Sequence, residues 1–323
     1  MQRSTLVFYL LGLLLLSGLV GTILRFGELE QFLNLARHVE PFWLISGLVL
    51  QSGTYLCEAL SWKLVLRRLA CPRPLSELIP LSIAKLFSDQ AMPSVGISGN
   101  AFLLTALRHR GIEKTLATSC MLVDLVTYFS SYALMAVVSL LVLAGHNEAN
   151  RWLLTLTTIF VAIQASVPLA VWHLHLHGTL PGESLLRKFP RLYAWVQTLR
   201  KVPVSLLLQP GMFAQQLALH AIIVFLDAGS LWMMLRGIGQ HLAFPFAFSS
   251  FVTASVVVSL SPIPLGLGTF EATCVAMLHV SGIGLEAGLA AVVLLRGLTV
   301  WLPMLPGLWL IRREMRNNAP FSA

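Results

Sequence analysis

Charge is what this sequence has least of. Only 11% of its 323 residues are charged, 22 basic and 14 acidic, for a net +8. A soluble domain carries about 25% charged residues. With 56% of positions hydrophobic and a mean hydropathy of +0.78, too few charges remain to cover a water-facing surface. A soluble enzyme is excluded, and so is disorder, which requires low hydrophobicity. Nucleic acid is not an expected partner either, because no basic run is interleaved with stacking aromatics. Cysteine is almost as scarce. Cys57, Cys120 and Cys274 fall inside apolar blocks, Cys71 lies beside an Arg-rich turn, and no CxxC spacing occurs. Neither a disulfide framework nor a zinc clip is indicated. Phosphate-binding glycine loops, nucleophile elbows and HExxH are missing. Gly266 and Gly268 have a Gly-x-Gly spacing but no strand–helix unit after them. His173, His175 and His177 stand at i, i+2 and i+4, which does not put all three on one helix face. No metal and no cofactor are expected.

Long apolar runs are what the sequence does have. A bilayer core takes about 20 apolar residues per helix. Blocks 6–24, 42–66, 117–144, 152–172, 213–235 and 287–311 meet that length, predicting six spans. The first follows Gln2 and Arg3 and has no small-x-small cleavage site before Arg25, so it is read as an uncleaved helix.

Two further apolar stretches are interrupted. Residues 79–107 contain Pro80, Lys85, Asp89, Pro93, Gly96 and Gly99; residues 245–281 contain Pro245, Pro262, Pro264, Gly266, Gly268 and Glu271. Proline and glycine end helices. Broken backbone at membrane depth is tolerated only inside protein or beside a water-filled cavity. Both stretches are therefore read as re-entrant helical hairpins. The fold class is an all-α polytopic membrane protein with six spanning helices and two re-entrant hairpins.

Loop charge sets the orientation. Basic clusters occur at Arg67/Arg68/Arg73, Arg108/Arg110/Lys114, Arg187/Lys188/Arg191/Arg200/Lys201 and Arg312/Arg313/Arg316, while loops 25–41, 145–151 and 236–244 are neutral, acidic or carry one arginine. The positive-inside rule places the basic clusters in the cytoplasm. Both termini then fall on the cytoplasmic side of the inner membrane, with one hairpin entering from each face.

This order is helix, helix, hairpin, helix, and then the same again inverted. Residues match at a steady offset. Glu58-Ala59-x-Ser61 matches Asp227-Ala228-x-Ser230 at 169, and Leu66-Arg67 matches Leu235-Arg236. Pro93 and Asn100 match Pro264 and Glu271 at 171; Asp124 and Thr127 match Arg296 and Thr299 at 172. Residues 1–323 are read as a single transmembrane domain, with 1–144 and 152–311 as inverted repeats. An insertion at 173–212 carries a stripe of Leu185, Phe189, Leu192, Val196 and Leu199 among basic residues. That pattern predicts an amphipathic helix on an anionic cytoplasmic leaflet. Inverted repeats with paired broken helices are a transporter design, with the site at the breaks.

Ionisable groups at membrane depth cost at least about 2.5–3.5 kcal/mol each on insertion scales and mark candidate sites. They are Glu58, Lys85, Asp89, Asp124, Asp227, Glu271 and Arg296, joined by Asn100 as the polar mate of Glu271. Lys85 and Asp89, four apart, could pair on one helix face. Arg296, Asp124 and Glu271 have two readings. One is a buried cluster pinning the halves; the other is a polar site in which Arg296, which keeps its proton, holds an anionic group.

The stretch Ser261-Pro262-Ile263-Pro264-Leu265-Gly266-Leu267-Gly268-Thr269-Phe270-Glu271, followed by Arg296, resembles the second-half signature of the lysylphosphatidylglycerol synthase transmembrane-domain family. Pro93 to Gly111, with Gly99-Asn100 and Leu107-Arg108-His109-Arg110-Gly111, is similar to that family too. The family includes the flippase half of aminoacyl-phosphatidylglycerol synthases and many single-domain membrane proteins. The first half departs at Asn100, where many members carry an acid, and at Asp124-Leu125, where many carry an acid–arginine pair. The resemblance implies movement of a phospholipid or other anionic lipid between leaflets. No soluble aminoacyl-transferase domain is recognised, so synthesis of lysyl-lipid by this chain is not expected. Two other functions fit the same residues: an integral-membrane enzyme using Glu271, Asp124 or Asp89 as acid and base on a lipid-linked substrate, and a non-catalytic subunit binding a homo-oligomeric or lipid-biosynthetic partner.

Overall fold

The computed structural model describes Arg37 and residues 39–91, 97–145, 151–177, 209–260 and 268–317, and all its regular elements there are helices. The expected first span at 6–24 and the amphipathic helix of the insertion lie outside the described residues. The helices are α1 (Pro41–Arg68), α2 (Leu75–Ala91), α3 (Ile97–His109), α4 (Lys114–Gly145), α5 (Arg151–His177), α6 (Pro210–Gly237), α7 (Phe244–Leu260), α8 (Thr269–Val280), α9 (Leu285–Arg296) and α10 (Leu302–Asn317). A π turn, Gly297–Trp301, joins α9 to α10 without interrupting the helix.

Among the described residues, four segments are long and apolar enough to cross a membrane: α4, α5, α6 and the α9–α10 run from Leu285 to Ile311. Helix α1 has 28 residues, about 42 Å at 1.5 Å per residue. It carries both Glu58 and Lys63 within its second half, followed by Arg67 and Arg68. Its start and that of α6 are set by Pro41 and Pro210, whose fixed φ suits the first helical turn and whose missing N–H is no loss there. Helix α5 keeps most of its surface outward, with Trp152 and Trp172 both at least half exposed near its two ends. Twenty residues separate them, about 30 Å, the thickness of a hydrocarbon core. That places tryptophans where amphipathic rings favour the two interfaces.

The broken stretches form pairs of short helices. Helices α2 and α3 have 17 and 13 residues, α7 and α8 have 17 and 12. At 1.5 Å per residue each falls short of about 30 Å. Partners α2/α3 and α7/α8 pack against each other as hairpins do. The breaks are narrower than the compositions suggested. Pro80 lies inside α2 and Pro245 in the first turn of α7. Gly99, expected in the first break, is the third residue of α3. Pro93, Gly96, Pro262, Pro264 and Gly266 lie outside the described residues. Two other boundaries also differ. Helix α5 continues to His177 and α6 begins at Pro210, so both reach into the stretch assigned to the insertion. The last helix runs past 311 to Asn317.

Helices α1 and α6 form the central seam, and their contacts run in opposite directions. Along α1, Gly47, Gln51, Glu58 and Ser61 meet Ser230, Asp227, His220 and Gln216 of α6 in turn. The helices are therefore antiparallel. Adding 169 to the α1 numbers turns Gln51–Asp227 into His220–Glu58, and Gly47–Ser230 into Gln216–Ser61. Each contact is thus the two-fold image of another. Small residues let the backbones approach. A Cβ on Gly237 would stand 2.7 Å from Val39 Cγ1, and one on Gly47 would stand 2.8 Å from Met234 Cε. Close approach through small residues is how membrane helices gain packing energy without a hydrophobic drive.

Each hairpin reaches across the seam. Helix α2 packs on α10, and α7 packs on α4. Two apolar cores result. The larger joins α4 and α6 through α9, with Leu231, Phe248 and Leu294 fully or nearly buried; the smaller joins α1 to α4 around Trp62, Leu66, Leu103 and Leu107.

Candidate functional site: two buried charge centres

The ionisable residues expected at depth separate into two centres and one polar seam contact. The first centre forms where α1, α2, α4 and α6 meet. Asp124 is fully buried on α4, and Lys85 is nearly so on α2. The Lys85 ammonium lies 2.7 Å from Asp124 Oδ2 and also pairs with Glu58 Oε1 of α1. It stands 5.5 Å from the centre of the Trp62 ring, whose indole N–H donates to Asp124 Oδ1 at 3.0 Å. The Lys85–Asp89 couple is one interaction among several, since Asp89 acts on Lys85 through its charge. The ammonium reaches carboxylates on two other helices, and Asp89 Oδ1 accepts the Gly99 amide of α3 at 2.7 Å. That amide is one of the first-turn donors that a helix leaves unsatisfied. Asp89 thus closes the α2/α3 hairpin as a cap. Gly99 is required there, because a Cβ at that position would collide with the Asp89 carboxylate.

His220 of α6 completes this centre, and sequence reasoning missed it. Its Nδ1 lies 3.8 Å from Glu58 Oε2 and its Nε2 lies 3.6 Å from Asp124 Oδ1. Only 2% of the residue is exposed, and Nε2 has no hydrogen-bond partner among the described residues. Tyr128 packs its ring edge-to-face on the imidazole at 6.0 Å.

The second centre lies in the other half. Arg296, the last residue of α9, places Nε 2.7 Å from Glu271 Oε1, in the first turn of α8. The two side chains are 13% and 14% exposed. The guanidinium also sits 5.4 Å from the Phe270 ring centre. Glu271 Oε2 is buried with no hydrogen-bond partner among the described residues. The π turn begins immediately after Arg296. Such widened turns are frequent at functional sites. Gly268, before α8, has φ +77°, a left-handed value that glycine adopts without steric cost and that turns the chain sharply into the helix.

The three residues expected as one Arg296–Asp124–Glu271 group therefore find ion-pair partners within their own halves. Asp124 pairs with Lys85, and Arg296 with Glu271. Asp227 belongs to neither pair: it accepts from Gln51 Nε2 at 2.9 Å on the seam, where the same amide reaches Ser230 Oγ at 3.0 Å. Asn100 is buried on the second turn of α3, matching Glu271 near the start of α8. Trp62, Gln51, Gln216 and His220 carried no expectation. The signal for His220 was available: at the offset of 169 that matches Glu58 to Asp227, His220 is the mate of Gln51, another polar residue inside an apolar run.

A family model described as the lysylphosphatidylglycerol synthase TM region matches residues 9–307. The chain belongs to that family and is a multi-pass membrane protein of lipid-related function. No curated protein matches it.

Proposed function

We propose that this member of the lysylphosphatidylglycerol synthase transmembrane-region family moves a phospholipid or other anionic lipid between the leaflets of the cytoplasmic membrane. It acts as a transporter without covalent chemistry, and its termini face the cytoplasm. The observation that carries this reading is the Glu271–Arg296 pair, a half-buried cation and anion at the start of a half-helix and beside a π turn. Buried ion pairs of this kind are weak sources of stability. An arginine keeps its charge and matches phosphate with two parallel N–H donors. A lipid phosphate entering the site competes with Glu271 for Arg296. The displaced carboxylate is then left to the positive N-terminal end of α8, which favours an anion. Exchange of one anion for another on a fixed arginine keeps the headgroup phosphate paired with a cation, while the partial positive charge of the helix end offsets part of the charge on the displaced carboxylate.

The test is inter-leaflet movement of a fluorescent anionic phospholipid in proteoliposomes. Arg296→Ala and Glu271→Ala are expected to slow it at least about tenfold, the loss of roughly one charge-assisted hydrogen bond, while the protein still elutes as a folded species. Arg296→Lys, which keeps charge but loses the fork, falls between. Unchanged movement in both alanine variants overturns the site assignment. A covalently altered lipid after incubation with purified protein overturns the non-enzymatic reading.

A further inference from the structure

The first charge centre is not needed for the headgroup exchange just described, and its geometry has its own logic. Each of its two carboxylates presents one oxygen to Lys85: Glu58 Oε1 and Asp124 Oδ2. The other two oxygens, Glu58 Oε2 and Asp124 Oδ1, face the His220 imidazole at 3.8 and 3.6 Å. Those separations are too long for hydrogen bonds, which span about 2.7–3.2 Å for nitrogen and oxygen. The ring is held against two carboxylates that it does not touch, and its Nε2 is buried without a hydrogen-bond partner among the described residues.

We infer that Glu58, Asp124 and His220 form a binding site for a divalent metal ion of the zinc class, with Lys85 remaining in place. Three observations converge. One ligand atom from each residue lies within 4.8 Å of the others. Metal–nitrogen and metal–oxygen bonds of about 2.0–2.2 Å at a tetrahedral angle put the ligand atoms about 3.4 Å apart. The 3.6 Å between His220 Nε2 and Asp124 Oδ1 is close to that edge. The donor set of one imidazole and two carboxylates suits zinc or manganese, whereas calcium and magnesium favour oxygen-only, partly hydrated shells.

Charge points the same way. Glu58, Asp89 and Asp124 contribute three negative charges that act on Lys85, the centre's one lysine. The two ligand carboxylates outnumber the one ammonium, and Asp89 adds a further negative charge nearby, so the centre favours an added cation; surplus charge at membrane depth is costly. The surroundings also fit. Trp62 donates to Asp124 Oδ1 and fixes the carboxylate, as the outer partners of metal ligands do. The ligands come from α1, α4 and α6, so a bound ion would tie the seam helices to α4.

The experiment uses the full chain in lipid nanodiscs, stripped with chelator, reloaded with equimolar zinc chloride, desalted and assayed for metal by mass spectrometry. The wild type is expected to retain about one zinc per chain, and zinc is expected to raise its thermal stability. His220→Ala and Asp124→Asn are expected to retain less than a tenth as much. Trp62→Phe should weaken zinc binding about 10–100-fold. His220→Gln supplies a folded variant of similar size should the alanine fail to fold. Replacing His173, His175 and His177 together should leave retention unchanged. No retention by the wild type, or full retention by His220→Gln, overturns the proposal. So does loss of zinc only on replacing the three α5 histidines, which would make the ion a surface adduct. Lipid movement does not enter these readouts, so the proposal and the transport reading fail separately.

Discussion

Removing Lys85 is the sharpest test of how the first half is held together. In Lys85→Met the side chain keeps its approximate volume but loses the ammonium. Asp124, fully buried, and Glu58, only 14% exposed at its side chain, are left facing one another without a cation. Breaking a buried pair from one side costs about 3–5 kcal/mol, because the remaining charge is uncompensated. Asp124→Leu removes the opposite partner and strands the Trp62 indole N–H, itself worth about 1–3 kcal/mol when unsatisfied. Each single variant should therefore shift the folded-to-unfolded ratio by roughly two to three decades or more. The double variant is different. The two introduced apolar side chains pack as neighbours, Glu58 can turn toward water, and the Trp62 indole N–H stays unsatisfied as it does in Asp124→Leu. The double should cost about what Lys85→Met costs alone, a coupling energy of roughly 3 kcal/mol. Equilibrium unfolding in mixed detergent micelles, followed by tryptophan fluorescence with chelator present, measures all three. If the double variant costs the sum of the singles, Lys85 and Asp124 do not act on each other and the described centre is wrong.

Two further perturbations address the hairpin and the membrane boundary. Gly99→Ala sets a methyl group against the Asp89 carboxylate and pulls the cap from the first turn of α3. A loss of about 1–3 kcal/mol is expected, as for other overpacked sites, and Asp89→Ser should recover part of it, measured in the same unfolding assay. In single-tryptophan variants retaining Trp152 or Trp172, lipids brominated near the headgroup should quench the fluorescence more than lipids brominated at the chain ends. Stronger quenching from the bilayer centre would refute the placement of α5.

Much of the helical plan was legible because its signals are local. Apolar runs bounded by charge marked α4, α5 and α6, and proline and glycine marked both hairpins. The Glu271–Arg296 partnership was legible in part, since one charge of each sign stood in otherwise apolar second-half segments. What spacing left incomplete was the set of partners for Lys85. Spacing along one helix nominated Asp89, four residues away, while Glu58 and Asp124 lie 27 and 39 residues away on other helices. Only packing brings those three together. Gly99 was misjudged for a related reason. A glycine near prolines reads as a break, yet here its missing side chain makes room for Asp89 inside a helix. His220 shows a signal that was present and unused: the repeat offset, carried a few residues further, pairs it with Gln51.

The π turn after Arg296 has a mechanical consequence for the last helix. A widened turn holds one residue more than a regular one, so everything beyond it is set back by about 100° around the helix axis and up to about 1.5 Å along it relative to an unbroken α-helix. Gly307 lies beyond that turn and rests on Phe87 of α2, where a Cβ would stand 2.7 Å from Phe87 Cβ. Winding Gly297–Trp301 as regular α-helix with every residue kept would swing Gly307 away from Phe87 and bring a bulkier neighbour to the same face, whereas deleting one residue from the turn would remove the bulge and leave Gly307 seated. The arginine that holds the second-half carboxylate and the glycine that seats the first-half hairpin are thus set in phase by one extra residue between them.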